Sequence, residues 1–373
     1  FITLKSNTKN DKDLQFKVQV YPEDCISCGL CVNACPMKNK GALSMVPLSQ
    51  AREKGENENV EFFESLPDNN LEGAKIASIK GSQLRTPYFE FSGACAGCGE
   101  TPVVKLATQL FGDRMIIANA TGCSSIYGGT FPTTPYCQDK DGKGPAWANS
   151  LFEDNAEYGY GMRLAVDKNR ETLKETIEKL LATGTTHNLK VALEQMLTKW
   201  DETGDDAKEA AKNVLAHLPE ALDHVYGESE PLLHRVNDLR DYLVDKSVWI
   251  VGGDGWAYDI GFGGLDHVLA QGKNVNVLVL DNEQYANTGG QASKSTPRGA
   301  TAKFAMAGKG QPKKNLGLMM STYGNIYVAQ VSMGANKQQL IQALVEAEEY
   351  PGPSIVIAYA TCINHGTDMS HTM

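Results

Sequence analysis

The densest chemistry in this 373-residue chain is its thiols, and most of the nine cysteines fall in short-spaced groups. Cys25, Cys28, Cys31 and Cys35 come first, with Pro36 directly after the last. Thiolates at this spacing ligate [4Fe–4S] cubes: the first three hold one cube and the fourth reaches across to a second. Cys25, Cys28 and Cys31 therefore call for a fourth ligand, and Cys35 for a cube with three others. No cysteine precedes Cys25, so the complementary ligands are expected upstream of Phe1 or in another chain. Zinc is the plainer alternative, but zinc sites use separated cysteine pairs rather than one compact run.

A second group begins with Cys95 and Cys98, set among Gly93, Ala94, Ala96, Gly97 and Gly99. The small neighbours let backbone N–H groups approach thiolates and sulfides. Cys123 follows a short apolar strand, where ligands of a sheet normally bind. A fourth ligand would come from Cys137 or Cys362. Cys362 also follows a strand, whereas Cys137 sits in a loop flanked by proline and glycine and reads as a spare thiol. By themselves these residues suit zinc as well as a cube.

The third group is Gly252-Gly253-Asp254-Gly255-Trp256, which ends one strand and opens a helix, with Asn282 after the next strand. Glycines allow a tight turn and expose N–H groups at a helix start, where phosphate is favoured. A carboxylate, an amide oxygen and a backbone carbonyl supply hard ligands to Mg²⁺, whose shell phosphate oxygens complete. These residues predict a Mg²⁺–diphosphate site.

The elements that must position these groups are short apolar strands at 114–118, 247–251, 275–280, 326–329 and 354–358, separated by helical patterns near 257–270 and 336–349. Buried strands alternating with helices predict an α/β fold with a doubly wound, mostly parallel sheet. Alternation at Phe16, Val18 and Val20 predicts a strand leading into the first cysteine loop. Residues 1–50 form a small cluster module, 51–84 a solvated connector with at most short structure, and 85–373 the α/β domain. Within it, about 165–245 is a charged helical insertion, whose apolar stripes, such as Leu173, Ile177, Leu180 and Leu181, pack helices together.

Composition narrows the setting. Lys and Arg number 35 against 45 Asp and Glu, a net charge of −10, which argues against a general nucleic-acid binder. No apolar run is long enough for a membrane span. Cysteines grouped for ligation fit a reducing, cytoplasmic setting better than disulfides.

At this point the residues resemble a known family. From about residue 88 onward the chain resembles the thiamine diphosphate domain of pyruvate:ferredoxin (flavodoxin) oxidoreductases. The preceding segment is similar to the ferredoxin-like module before that domain in single-chain members, so the chain looks like a C-terminal portion. The strings that carry the resemblance are Gly93 to Glu100, Asn119 to Ser125, Gly144 to Trp147, Ser150 to Asp154, Gly252 to Gly261, Asn287 to Lys294, and Cys362 to Gly366.

The resemblance implies that Cys95, Cys98, Cys123 and Cys362 ligate a proximal [4Fe–4S] cluster, while Cys25, Cys28, Cys31 and Cys35 serve ferredoxin-like clusters. It puts Glu100 and the backbone around Cys123 against thiamine diphosphate. Gly253, Asp254, Gly255 and Trp256, with Asn282, Glu283, Gln284, Tyr285, Ala286 and Asn287, wrap the diphosphate. Asp254, the Asn282 side chain and the Gln284 carbonyl hold Mg²⁺; many relatives carry Thr where Asn282 stands, and either offers an oxygen. Asn287 and Glu100 are the expected catalytic residues, Asn287 facing the 2-oxo acid. His365 is expected to be a structural hydrogen-bonder.

The implied reaction is oxidative decarboxylation of pyruvate with coenzyme A to acetyl-CoA and CO₂, with electrons leaving through the clusters to ferredoxin or flavodoxin. A homodimer is implied, as are upstream domains of the same enzyme, one of which supplies a glutamate to the aminopyrimidine. No candidate for that second domain is visible here, so the chain alone is expected to be inactive. Two other classes stay open on the residues: an electron-transfer subunit of an oxidoreductase acting on another 2-oxo acid, and a zinc-stabilised structural domain.

Overall fold

The computed structural model describes residues 4–5, 15–66, 76–130, 134–224 and 226–371. A two-stranded antiparallel ladder, β1 (Leu4–Lys5) with β2 (Gln15–Phe16), precedes the first cysteine loop. The strand expected through Val20 stops at Phe16: Val18 is 65% and Val20 47% exposed, so among the described residues the alternation buries no face. Cys31 lies on the short helix Leu30–Ala34, and Cys35 caps its end in extended conformation. The stretch after it carries three short helices, Leu48–Glu53, Glu56–Glu64 and Ile79–Ser82.

The body of the chain is one six-stranded parallel sheet. In chain order its members are β3 (Met115–Ala120), β4 (Ala146–Ser150), β5 (Ser247–Gly253) and β6 (Asn276–Asp281). After the small hairpin β7 (Gln284–Tyr285) with β8 (Gln291–Ala292) come β9 (Tyr327–Ser332) and β10 (Ser354–Tyr359). Their spatial order is β4-β3-β5-β6-β10-β9. Strand β4 lacks the continuous apolar run of the others and escaped the sequence reading; it is an edge strand, with an exposed end and only partial burial between.

Residues along each central strand alternate between two cores. Trp249, Val251, Leu278 and Leu280 pack with helices Thr101–Phe111 and Lys337–Glu349 on one face. Ile250, Val277, Val279, Ile355 and Ile357 pack with helix Phe262–Ala270 and Leu316 on the other. Phe111 stacks on Trp249 with ring centroids 5.7 Å apart. A sheet covered on both faces needs apolar residues at every position, which is why these strands read as unbroken apolar runs.

A third core belongs to helices alone: His187–Thr198, Asp205–His224, Glu230–Asp238 and the far half of Asn155–Thr183. That last helix has 29 residues. Its first half lies on the sheet, with Ala156 in the sheet core, and its second half supplies Leu173, Ile177 and Leu180 to the helical core. At the junction Arg163, 2% exposed, pairs with Asp245 at 2.9 Å and with Asp167. Among the described residues, no helix is long and apolar enough to cross a membrane.

Strand order creates the site. From β3 the chain goes to β4 on one side, whereas β5 continues to β6 on the other, so the carboxyl ends of β3 and β5 part. Crevices at such switch points are where α/β sheets take ligands. Asn155 bridges the parting strands from below, donating from Nδ2 to Ala118 O at 3.2 Å and Val251 O at 3.3 Å.

Candidate active site

The loops after β3, β5 and β6 enclose a cleft of about 180 Å³. After β3 come Thr121, Gly122, Cys123 and Ser124; Gly253 ends β5, and Asp254, Gly255 and Trp256 follow it; after β6 come Asn282, Gln284 and Tyr285 to Thr288. The register explains the meeting of distant residues. Gly253 pairs with Leu280 across β5 and β6, so the next residues, Asp254 and Asp281, face one another with Asn282 just beyond.

Close packing, not only turn geometry, demands the glycines here. A Cβ on Gly252 would stand 2.5 Å from the Trp256 ring, and one on Gly255 would stand 2.5 Å from the Tyr285 ring. Trp256 is fully buried; the segment Gly255–Ile260 widens into a π-helix around it, a local form that occurs often at functional sites.

Two oxygens in this cleft are anomalous. Asp254 Oδ1 and Asn282 Oδ1 are both buried and both lack a hydrogen-bond partner. The other Asp254 oxygen accepts from the Ser293 hydroxyl at 2.5 Å, and Asn282 Nδ2 donates to Glu100 Oε1 at 2.7 Å. Each side chain is thus oriented by one atom and left open at the other. Buried oxygens are rarely left so, and a hard divalent cation takes this donor type. Burial pushes the Asp254 carboxyl well above its ordinary range, and the charge of Asp281 adds to this; the Ser293 hydrogen bond opposes it.

Asp281 is itself saturated. It accepts from Ser295 at 2.6 Å, Tyr258 at 3.0 Å and Lys313 at 2.7 Å. Glu283 corrects one expectation: it does not line the cleft. Its backbone is left-handed at φ 65°, and its carboxylate pairs with Lys313 at 2.9 Å instead. The alternation that sends Asn282 and Gln284 inward sends Glu283 out.

Beside the cleft lies a smaller cavity of about 120 Å³, lined by Cys95, Cys98, Cys123 and Cys362 together with Gly93, Tyr127 and Ile363. Gly99 N–H donates to Thr361 O at 3.0 Å, which ties the Cys95–Cys98 loop to the strand end carrying Cys362. Cys137 is elsewhere, its thiol directed at Pro87 O. Among the described residues no three His, Cys, Asp or Glu side chains converge tightly enough to hold a single metal ion. The four thiols surround a space instead, as a cube of iron and sulfide requires. Burial pushes the Cys98 thiol up to about 12, and the Cys123 and Cys362 thiols in the same direction. Thiolates there need the positive charge that iron supplies.

The two cavities adjoin: Glu100, Cys123, Asn282 and Asn287 line both. Glu100 is 4% exposed, and burial raises its carboxyl to about 7 against the hydrogen bond from Asn282. Several contributors were not singled out by sequence reasoning: Phe152 on the cleft wall, Ser293 beneath Asp254 and Tyr127 in the thiol cavity. Phe152 and Ser293 stand in the strings that carried the family resemblance, but nothing in their spacing marks a role.

A crevice at a switch point, two unpaired oxygens and an adjoining four-thiol cavity are the features a diphosphate cofactor beside an iron–sulfur cluster would need. The comparisons agree. Residues 239–358 match the family described as "Thiamine pyrophosphate enzyme, C-terminal TPP binding domain", and residues 18–38 match "4Fe-4S binding domain". The chain is 55% identical over its full length to a pyruvate:ferredoxin oxidoreductase of Moorella thermoacetica, and 52% to a putative pyruvate-flavodoxin oxidoreductase of Synechocystis. It is 48% identical over 99% of its length to a probable pyruvate-flavodoxin oxidoreductase of Escherichia coli. Over its whole length the chain is thus similar to one part of these pyruvate:ferredoxin and pyruvate-flavodoxin oxidoreductases. It spans 31%, 31% and 30% of the length of these three relatives. A solved 2-oxoglutarate:ferredoxin oxidoreductase from Magnetococcus marinus aligns at TM-score 0.45 and 18% identity, covering 74% of this chain and 67% of that one.

Proposed function

We propose that the chain is the thiamine diphosphate- and cluster-bearing part of an enzyme that oxidises pyruvate with coenzyme A to acetyl-CoA and CO₂. The observation that carries this is the shared wall: four residues line both the diphosphate cleft and the four-thiol cavity, so a cofactor and a cluster would sit one side chain apart. Pyruvate and the coenzyme A thiol give acetyl-CoA, CO₂, one proton and two electrons. A cluster accepts electrons singly, so direct contact between the two sites suits this chemistry.

Asp254 and Asn282, with the Gln284 carbonyl, are the proposed ligands of Mg²⁺, supported by the two unpaired oxygens. Gly253 to Trp256, with Asn282 and Gln284 to Asn287, would bind the diphosphate. Cys95, Cys98, Cys123 and Cys362 are the proposed ligands of the proximal cluster, and Cys25, Cys28, Cys31 and Cys35 those of the ferredoxin-like clusters. Bound thiamine diphosphate supplies the carbanion chemistry; the chain orients it and excludes water. Glu100, held by Asn282 and with its carboxyl raised by burial to about 7, could hold or release a proton at the shared wall. Asn287 stands where the substrate would meet both sites.

The rest of the enzyme would complete the cleft, and ferredoxin or flavodoxin would take the electrons in a cytoplasmic homodimer. Anaerobic EPR of the whole enzyme, before and after pyruvate and then coenzyme A, tests the reading. Reduced-cluster signals that appear with pyruvate and strengthen with coenzyme A are expected. Clusters that respond to dithionite but not to pyruvate would move the assignment to another 2-oxo acid or to an electron-transfer subunit.

A further inference from the structure

We propose that the segment Cys362–His371 is a positioning strap joining three sites, and that its two ends govern two successive electron transfers separately. It rests on the function proposed above and adds roles for Asn364, Asp368, Met369 and Ser370.

At its near end the strap grips the diphosphate loop. His365 Nε2 donates to Asn282 O at 2.8 Å, and Asn364 Nδ2 donates to Ala286 O at 3.2 Å. His365 Nδ1 accepts from the backbone N–H of Cys362 at 3.4 Å. The two ring nitrogens therefore play different parts, Nε2 donating to Asn282 O and Nδ1 facing the Cys362 N–H. One imidazole thus spans a proposed cluster ligand and a proposed Mg²⁺ ligand.

At its far end the strap lies between two cysteine loops. Gly366 turns the chain in left-handed conformation at φ 72°. Met369, 7% exposed, then covers Gly97, where a Cβ would stand 2.6 Å from the Met369 Cβ. Ser370 follows, its Cβ 3.4 Å from where a Cβ on Gly29 would be. Gly97 sits between Cys95 and Cys98, and Gly29 between Cys28 and Cys31. Adjacent residues of one turn therefore touch the ligand loops of both cluster sites. Asp368 rigidifies that turn by accepting from the Ser370 N–H at 2.9 Å and the Ser370 hydroxyl at 2.7 Å.

Electron transfer between fixed centres falls steeply with distance, so whatever sets the spacing sets the rate. A cluster held by Cys95, Cys98, Cys123 and Cys362 would receive one electron from substrate oxidation, and a cluster held by the loop of Cys25, Cys28 and Cys31 would receive that electron in turn, one reduction against one oxidation each time. Neither step makes or breaks a bond in the strap, whose residues act only as positioning residues.

The test is rapid freeze-quench EPR on the intact holoenzyme after mixing with pyruvate and coenzyme A, with iron and sulfide counted in every variant. Wild type must reduce its proximal cluster first; if pyruvate reduces none, the functional reading fails and the strap is not at issue. In Met369→Ala, proximal reduction should keep its wild-type rate while onward transfer slows roughly tenfold or more, the scale of supporting-residue effects at metal sites. His365→Ala should slow the first step and leave the second unchanged after dithionite pulse-reduction, and His365→Gln, which can still donate to Asn282 O, should recover most of it. Ser370→Gly loosens the far end without emptying a buried position and should act on the same step as Met369→Ala; it decides the matter if Met369→Ala loses a cluster. Clusters intact with both steps slowed alike in every variant, or with neither step changed, would overturn the proposal.

Discussion

Glu100 carries one of the sharpest electrostatic signatures of the site. Its carboxyl is raised to about 7 by burial, from an unfolded value near 4.5. The folded state therefore favours the protonated form, and the associated stability is complete below about pH 4.5 and is lost as pH rises through 7. A shift of this size corresponds to about 3 kcal/mol. Thermal melts of the cofactor-free protein should show Tm falling from pH 5 to pH 8, and Glu100→Gln should flatten part of that fall. Asp254, raised in the same direction, accounts for the remainder. Because Asp254 must ionise to bind a cation, Mg²⁺ affinity measured by calorimetry should weaken as pH is lowered. Asp254→Ala should abolish Mg²⁺-dependent thiamine diphosphate binding, a loss of about a hundredfold or more for a direct ligand, while leaving cluster iron in place. Retained affinity in that variant would remove Asp254 from the ligand set.

Among the elements, the 29-residue helix Asn155–Thr183 is the most consequential, because it belongs to two cores at once. The buried Arg163 pair with Asp245 stands where it passes from one to the other. Removing one member of a buried pair leaves an uncompensated charge and costs about 3–5 kcal/mol. Arg163→Met leaves Asp245 and Asp167 without that partner, and urea unfolding should register a loss near the lower end of this range, since Asp245 is 25% exposed. Cluster spectra of the folded variant should be unchanged, because the helical core stands apart from the thiol cavity. The amphipathic stripes in this region announced packing and nothing more, and packing is what they do.

Across the whole molecule, the distances in sequence are long and the distances in space are short. Asn282 reaches Glu100 across 182 residues, and Cys362 shares a cavity with Cys95. Cys123→Ala should therefore lose the proximal cluster, about four iron atoms per chain, and spare the clusters at Cys25 to Cys35; iron and sulfide counts with EPR check both halves. Because Cys123 lines both cavities, the same variant should also weaken thiamine diphosphate binding. The isolated chain, which spans 31% of its Moorella relative, is expected to show no pyruvate-dependent dye reduction, and measurable activity would contradict this.

Much of this was legible in the residues because the signals were local. Cysteine spacing from Cys25 to Cys35 states its chemistry within one loop, and unbroken apolar strands state that both faces of the sheet are covered. The Gly-Asp-Gly turn at the end of β5 predicts a diphosphate site, because a tight turn and a carboxylate must adjoin. The rest depended on register and strand order, which no local pattern contains. Ser293 under Asp254, Tyr127 beside Glu100 and the turning of Glu283 toward Lys313 follow from which loops the parallel sheet brings to one edge. The sequence already favoured Cys362 over Cys137 because Cys362 follows a strand; the position of β10 between β6 and β9 is what brings it to the cavity.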